Sequence, residues 1–355
     1  MQSKKTFTYV EGINQALTES MKIDKNMICY GLGIDDPKNI FGTTVGLKKK
    51  FGPKRVFDVP CSENALTGIS IGASLNGVRS VVTHQRLDFF LLAMDQLVNS
   101  AAKWHYMFGS RKSVPITIRL IIGRGWGQGP THSQNLQAWF NHIPGLKVVA
   151  PTFAEDARDV LFASIFDPNP VIFLEHRWLH QTVSNKVNLK KNYQLGKAKI
   201  SRRGKDLTLI SFSFMTLESI SAAKFLKENY NIDCEIIDLR SIKPLDEKMI
   251  NKSINKTKNV IVLDTGHENG SFSGELISRI TQKFYGKLKN PPIRMAMPNT
   301  PEPTSFGLTK KYYLNSQDIV LRVLKFFNVK KNQYKISLKK PYFHDQPGEW
   351  FKGPF

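Results

Sequence analysis

The chain has 355 residues, with 51 Lys and Arg against 29 Asp and Glu, a formal net charge of +22, and 41% hydrophobic residues. That length suits about two domains with ordinary cores, and no run approaches the roughly 20 apolar residues of a membrane helix. Surplus positive charge speaks to partners and solubility, not to fold. The lysines are dispersed in pairs and one triplet (Lys48 to Lys50) with no nucleic-acid-binding pattern beside them, so a basic surface facing an acidic partner is expected and nucleic acid is not. The N-terminal stretch MQSKKTFTYVEG has no apolar core of a secretory signal. Cys29, Cys61 and Cys234 lack metal or redox spacing, read as packing residues and suit a reduced, cytoplasmic setting.

Residues 6–22 carry helical apolar spacing, and MICYGLG (27–33) reads as a buried strand. Short β-rich runs follow in RVFDVP, VRSVVTH, VPITIRLI, LKVVAP and PVIFLEH, with helical patterns at 89–107 and 154–166 between them. This alternation predicts a parallel α/β sheet. Residues 182–203 are polar and basic and read as a connection. A second alternation follows: DLTLISFS, CEIIDL and NVIVLD as strands, LESISAAKFLKENY, DEKMINKSI, SGELISRITQKFYG and SQDIVLRVLKFFNV as helices. The expected organisation is a first α/β domain over 1–185, a linker over 186–203, a second α/β domain over 204–329, and a basic, aromatic tail over 330–355, extended and docked on a neighbour.

Several residues stand out chemically. Glu63 follows the strand VFDVP and opens the small-residue helix ALTGISIGASLNG, where Gly68, Gly72 and Ala73 let another backbone or a flat ligand approach. A carboxylate at such a buried junction is costly unless paired. It is either a helix-start acid beside a capping Ser62 or a group held to hydrogen-bond a buried nitrogen. Phe89 and Phe90 are adjacent, so one faces the core. His132 lies in the glycine-rich loop GQGPTHSQ, where a near-neutral imidazole can move a proton. Asp167 and Asn169, in DPNPV, are either a plain helix-ending turn or oxygen ligands for a hard cation.

DVPCSEN followed by the Gly/Ala-rich helix resembles the β subunit of the E1 component of 2-oxo acid dehydrogenases, the thiamine-diphosphate enzymes of the pyruvate and branched-chain complexes. The resemblance continues through residues 88–109, 129–151, 167–176, 193–200 and 234–246, and spans roughly 6 to 329 in order. It implies a transketolase-like fold, a pyrimidine-binding domain followed by a C-terminal domain. In that family a carboxyl shares a proton with the pyrimidine ring nitrogen, an aromatic ring stacks on it, and a loop histidine faces the substrate carbonyl. Glu63, Phe89 and His132 match those three positions, and Gln85 falls where branched-chain members also carry Gln, a contact to cofactor or substrate. A potassium site, carried over, would use Ile116, Ser164, Ile165, Asp167 and Asn169. His142 also matches a family position and reads as structural.

The chain departs from the family in two acidic positions, occupied by Leu32 and Thr83, which thins the acidic surroundings of the proton device. It also carries no GDG motif, the family's magnesium-binding element on the α subunit. The resemblance therefore implies half of an active site, completed by an E1 α chain in an α2β2 heterotetramer with thiamine diphosphate and Mg2+. The substrate would be a small 2-oxo acid, and the acceptor a lipoyl group on an acyltransferase. Two other readings remain open at this level: a transketolase-like or acyloin-forming enzyme with the same cofactor, and a non-catalytic basic scaffold.

Overall fold

The computed structural model describes residues 6–124, 127–334 and 342–348. The first strand, β1 (Thr6–Thr8), ends where Thr8 caps helix α1 (Tyr9–Ile23). The helix thus starts three residues later than its apolar spacing implies. The Thr8 hydroxyl accepts the Glu11 amide at 3.2 Å and the Glu11 carboxylate accepts the Thr8 amide at 2.7 Å, a reciprocal cap.

There follow β2 (Ile28–Gly31), α2 (Leu47–Phe51), β3 (Val56–Asp58), α3 (Glu63–Leu75), β4 (Ser80–His84) and α4 (Leu87–Phe90). Next come α5 (Ala102–Met107), β5 (Ile116–Ile122), α6 (Gln137–His142), β6 (Lys147–Val149), α7 (Ala154–Phe166), β7 (Val171–His176) and β8 (Val183–Asn185). The helix expected over 89–107 is broken by a π-helical turn at Gln96–Ala101, the kind of irregularity that recurs near functional sites. The second half runs β9 (Lys199–Arg202), β10 (Leu207–Ser211), α8 (Phe214–Tyr230), β11 (Cys234–Asp238), β12 (Ser241–Lys243), α9 (Glu247–Thr257), β13 (Val260–His267), α10 (Phe272–Lys283), β14 (Ile293–Met297), α11 (Phe306–Tyr312) and α12 (Ser316–Phe326).

Two main sheets result. The seven-stranded sheet has the order β12-β6-β7-β5-β4-β2-β3, parallel except for β12, which comes from the second half and pairs antiparallel with β6. The five-stranded sheet has the order β14-β13-β10-β11-β9, parallel except at β9, so the expected linker contributes an edge strand. The side chains of β5 alternate. Ile118, Leu120 and Ile122 enter one core, and Ile121 enters another beneath α1 and α7 with Ile13, Leu17 and Leu161. The first of these cores also takes Ile210, Phe212, Ile237 and Phe272 from the second half, so the halves share buried apolar surface and are held as one body. The carboxyl ends of β3, β2, β4 and β5 therefore lie along one edge of a fixed sheet, the place where open parallel sheets bind ligands.

Among the described residues no helix is long and apolar enough to cross a membrane. All three cysteines are free thiols, Cys29 and Cys234 buried and Cys61 exposed.

The described part of the tail packs on its own chain. In residues 342–348 the His344 carbonyl accepts Arg124 Nη2 at 2.7 Å, and the His344 Nε2 lies 2.9 Å from both Thr309 Oγ1 and the Phe306 carbonyl. Arg124 is itself stacked between the Trp178 and Tyr313 rings, 3.8 and 3.9 Å from their centroids.

Candidate active site

Glu63 is the first residue of α3, 8% exposed. Its carbonyl accepts the Thr67 hydroxyl at 3.0 Å. Among the described residues its carboxylate has no hydrogen-bond or ion-pair partner, which leaves it free for a ligand's nitrogen. Ser62 is not the side-chain cap its position suggests. Its backbone, at φ −165° and ψ 62°, lies outside the usual cap geometry, and its hydroxyl makes no capping bond. The face of α3 beyond Glu63 is open: a Cβ at Gly72 would meet nothing, and Ile69 is 59% exposed.

Gln85, Phe89 and His132 come together one strand away. They line a pocket of about 320 Å3 between the carboxyl end of β4, the loop after β5 and residues 36–41. The edge of one ring meets the face of the other in the Phe89–His132 pair, with centroids 5.3 Å apart and planes at 88°. His132 Nδ1 lies 2.9 Å from the Thr131 hydroxyl. Phe90, the neighbouring ring, is fully buried against Phe140, so Phe89 is the one that faces the pocket. Glu63 is not among the residues lining this pocket; it stands at the end of β3 on the same sheet edge. A single ligand engaging all four residues has to bridge the two places.

The first part of the loop that carries His132, from Gly123 to Gln128, is held by Arg86, 3% exposed. Arg86 Nη1 donates to the Gly123 carbonyl at 3.1 Å, and Nη2 donates to the Gln128 side-chain oxygen. Gly123 has φ +76°, and a Cβ there would collide with the His176 ring, so the loop leaves β5 by a path only glycine takes. On the opposite wall Asn39, Ile40 and Phe41 are three consecutive left-handed residues, at φ +47°, +47° and +55°. For the β-branched Ile40 that conformation is an outlier, and each such residue costs on the order of 1–3 kcal/mol. The strained turn carries Phe41 onto Arg177, 4.2 Å from its guanidinium carbon.

The two positions where the acidic network thins have different fates. Thr83 is fully buried, and its hydroxyl accepts Arg119 Nη1 at 3.3 Å. Arg119 is paired across the sheet with Glu175 at 2.8 Å, both side chains fully buried, and the arginine holds the Glu175 carboxyl below its ordinary range against the pull of burial. Leu32 contributes only its amide, bonded to the Thr83 carbonyl at 3.2 Å. Three histidines nearby are neutral: burial pushes His84 and His180 down to about 4 and His176 to about 3.

The potassium ligands carried over from the resemblance are brought to one turn. The Ser164 carbonyl accepts the Asp167 amide at 3.3 Å, and Asp167 Oδ1 accepts the Asn169 amide at 2.9 Å. Ile116 is set beside this turn by the pairing of Thr117 with Val171. The donors are oxygen only, as a hard cation requires, but two cationic side chains already hold the turn. Arg79 Nη1 donates to the Ile165 and Asp167 carbonyls at 2.5 and 3.4 Å, and Lys147 lies 2.5 Å from Asp167 Oδ2. Among the described residues no group of three or more His, Cys, Asp or Glu is placed to hold a metal ion. His142 is exposed at the end of α6 and lines a separate polar cleft with Ser271 and Arg294.

Sequence reasoning passed over Arg86, Arg124 and Arg177. Each stands within two residues of the end of a strand (THQRLDFF, IIGRGW, LEHRWL), and that placement was the available signal.

The fold and site together define a transketolase-type, thiamine-diphosphate protein. The transketolase pyrimidine binding domain matches residues 5–182 and the transketolase C-terminal domain matches residues 196–319. A rice (Oryza sativa subsp. japonica) protein named pyruvate dehydrogenase E1 component subunit beta-1, mitochondrial, is 38% identical over 321 residues, covering 89% of this chain and 85% of that one. A pyruvate dehydrogenase E1 component subunit beta from Rickettsia felis is 35% identical over 318 residues, covering 90% of this chain and 97% of its own. A solved structure described as a split gene transketolase, inactive beta4 tetramer, superposes with a TM-score of 0.71 at 20% identity, over 92% of this chain and 99% of that one, which speaks to the fold alone. The chain belongs to the family of E1 component β subunits of thiamine-diphosphate-dependent 2-oxo acid dehydrogenases.

Proposed function

We propose that this chain acts on a 2-oxo acid as the β half of an E1 active site, with acyl transfer to a lipoyl group and an α chain as its obligate partner. The observation that carries the reading is the placing of an unpartnered, buried Glu63 and the Phe89–His132 ring pair on one sheet edge. Thiamine diphosphate, when bound, supplies the electron sink for decarboxylation. This chain's residues do the rest. Glu63 holds a proton at the pyrimidine ring nitrogen, where burial keeps the bond from being lost to water. Phe89 offers its ring to the flat pyrimidine, and Gln85 contacts the ligand from the same wall. His132 gives or takes a proton at the substrate oxygen, its orientation steadied by Thr131 and Phe89.

The absence of a GDG motif supports a magnesium and diphosphate site on the α chain, and the open α3 face supports a docked partner in an α2β2 assembly. A potassium ion at the 164–169 turn would share carbonyls with Arg79, and melting in potassium against choline chloride reads its contribution. The free thiols support a reducing compartment, which we place as the cytoplasm; cell fractionation checks it.

The test is co-expression with a GDG-bearing α chain. The complex should decarboxylate a 2-oxo acid that neither chain attacks alone, with Glu63→Ala slower by about 10²–10⁴-fold. A Glu63→Ala complex as fast as the parent refutes the reading. Parallel lipoyl-acceptor and aldose-acceptor assays separate a dehydrogenase component from a transketolase-like enzyme.

A further inference from the structure

Arg86 and Arg177 are two guanidinium groups, 3% and 8% exposed. Arg86 lines the pocket that holds Phe89 and His132, and Arg177 stands behind it against the ring of Phe41, which also lines the pocket. Neither has a carboxylate within ion-pair distance among the described residues. Two other buried arginines of this half have carboxylate partners: Arg119 is paired with Glu175 at 2.8 Å, and Arg158, on α7, with Asp159 at 2.9 Å. Arg124 has none within ion-pair distance among the described residues, but is stacked between two rings. A buried charge without a matched partner is costly, and an anion from outside the chain would relieve that cost.

The geometry of Arg86 leaves room for that partner. A guanidinium has five N–H donors in a flat fork. Two serve the loop, through the Gly123 carbonyl and the Gln128 side chain, and the others have no hydrogen-bond partner among the described residues. Arg177 makes no side-chain hydrogen bond among the described residues and is held only by the ring of Phe41, at 4.2 Å. Burial lowers both groups to about 10, Arg177 adding to the effect on Arg86, yet both stay charged at neutral pH. The nearest acidic groups among the described residues are outside ion-pair distance and hydrogen-bonded elsewhere, although the Asp88 charge still favours the charged form of Arg86. Asp88 Oδ1 accepts Gln134 Nε2 at 2.8 Å, and Asp36 Oδ1 at the rim accepts the Lys38 amide at 3.0 Å. His84, His176 and His180 are neutral and offer no countercharge.

We infer that Arg86 and Arg177 form an anion-recognition element that takes the carboxylate of the substrate, a specificity device resting on the 2-oxo acid reading above. A planar fork meeting a planar carboxylate gives paired hydrogen bonds with a fixed direction, which aims the adjoining carbonyl at the Phe89–His132 side of the pocket. The same Arg86 bonds Gly123 and Gln128 in the loop leading to His132, so anion binding and loop order are coupled at one residue.

The probe is oxamate, a carboxylate beside a carbonyl that cannot be decarboxylated, with inorganic phosphate as the second arm. Oxamate should raise the melting temperature of the full chain and of its complex with an α chain, and phosphate at equal concentration should not. Arg86→Gln and Arg177→Gln should each weaken oxamate binding at least tenfold, with Arg86→Lys intermediate. In the complex, Arg86→Gln should raise KM for the 2-oxo acid at least tenfold and change kcat less. Arg177→Gln removes no bond of the loop and keeps the test readable if Arg86→Gln fails to fold. Oxamate binding undiminished in a folded Arg177→Gln or Arg86→Gln chain overturns the inference, as does equal protection by phosphate, which marks a general phosphate site. Arg86-dependent oxamate binding in a complex that binds no thiamine diphosphate supports the anion element and sinks the thiamine reading alone.

Discussion

Asp238, at the end of β11, is fully buried, and its Oδ2 has no hydrogen-bond partner. Burial, reinforced by Asp156 in the other half of the molecule, raises its carboxyl to about 7, with Arg240 opposing. A displacement from an unfolded value of about 3.9, at about 1.4 kcal/mol per pH unit, is about 4 kcal/mol at its limit. The sign follows from proton counting. Between about pH 4 and pH 7 the folded chain holds a proton that the unfolded chain has lost, so this group makes the protein less stable as pH rises through that window. Asp238→Asn keeps the shape and removes the charge. Relative to the parent it should gain roughly 2–3 kcal/mol more at pH 8 than at pH 5, an additional rise of several degrees in melting temperature. Thermal melts of both chains from pH 5 to pH 8, followed by near-ultraviolet circular dichroism, measure the gap. Melting curves that run parallel across the range would falsify the reasoning, because they would mean that Asp238 keeps an ordinary carboxyl.

Two other perturbations read the packing of the site. Glu175→Gln strands the Arg119 charge in a dry interior and should destabilise the chain by roughly 3–5 kcal/mol. The double change with Arg119→Met should recover much of that in denaturant titrations. Arg124→Ala removes the stack between Trp178 and Tyr313 and the bond to the His344 carbonyl. The 342–348 segment should then be cleaved faster in limited proteolysis, with an unchanged cleavage rate counting against the docking.

The alternation of short apolar strands with longer amphipathic runs made the α/β halves legible, because each strand's burial is written in its own few residues. What lay beyond local pattern was missed. Strand β12 is three residues long and exists because β6 offers it an edge across the boundary between the halves. Strand β14, IRMAM, alternates an exposed Arg with buried Met, but Pro291 and Pro292 before it read as a loop. The helix over 89–107 has the right composition throughout, yet its ladder is interrupted at Gln96–Ala101 where it passes α3, a constraint no residue in the window announces. Glu63, Phe89 and His132 were legible because each sits inside a contiguous motif.

The arginines show why the rest of the site was not. Arg119 lies on an apolar strand and Arg86 just past one, and that local difference does not reveal which of them has a carboxylate partner. The difference lies 56 residues along the chain, where Glu175 reaches Arg119; Arg86 finds only a carbonyl and an amide oxygen 37 and 42 residues away. A buried guanidinium costs several kcal/mol unless its charge is matched, so the identity of that distant partner decides the role. With a carboxylate the pair is internally neutral and braces the sheet. With neutral oxygens the hydrogen bonds are made while the charge is matched only at longer range, by Asp88, and that is the setting in which the proposed anion would bind.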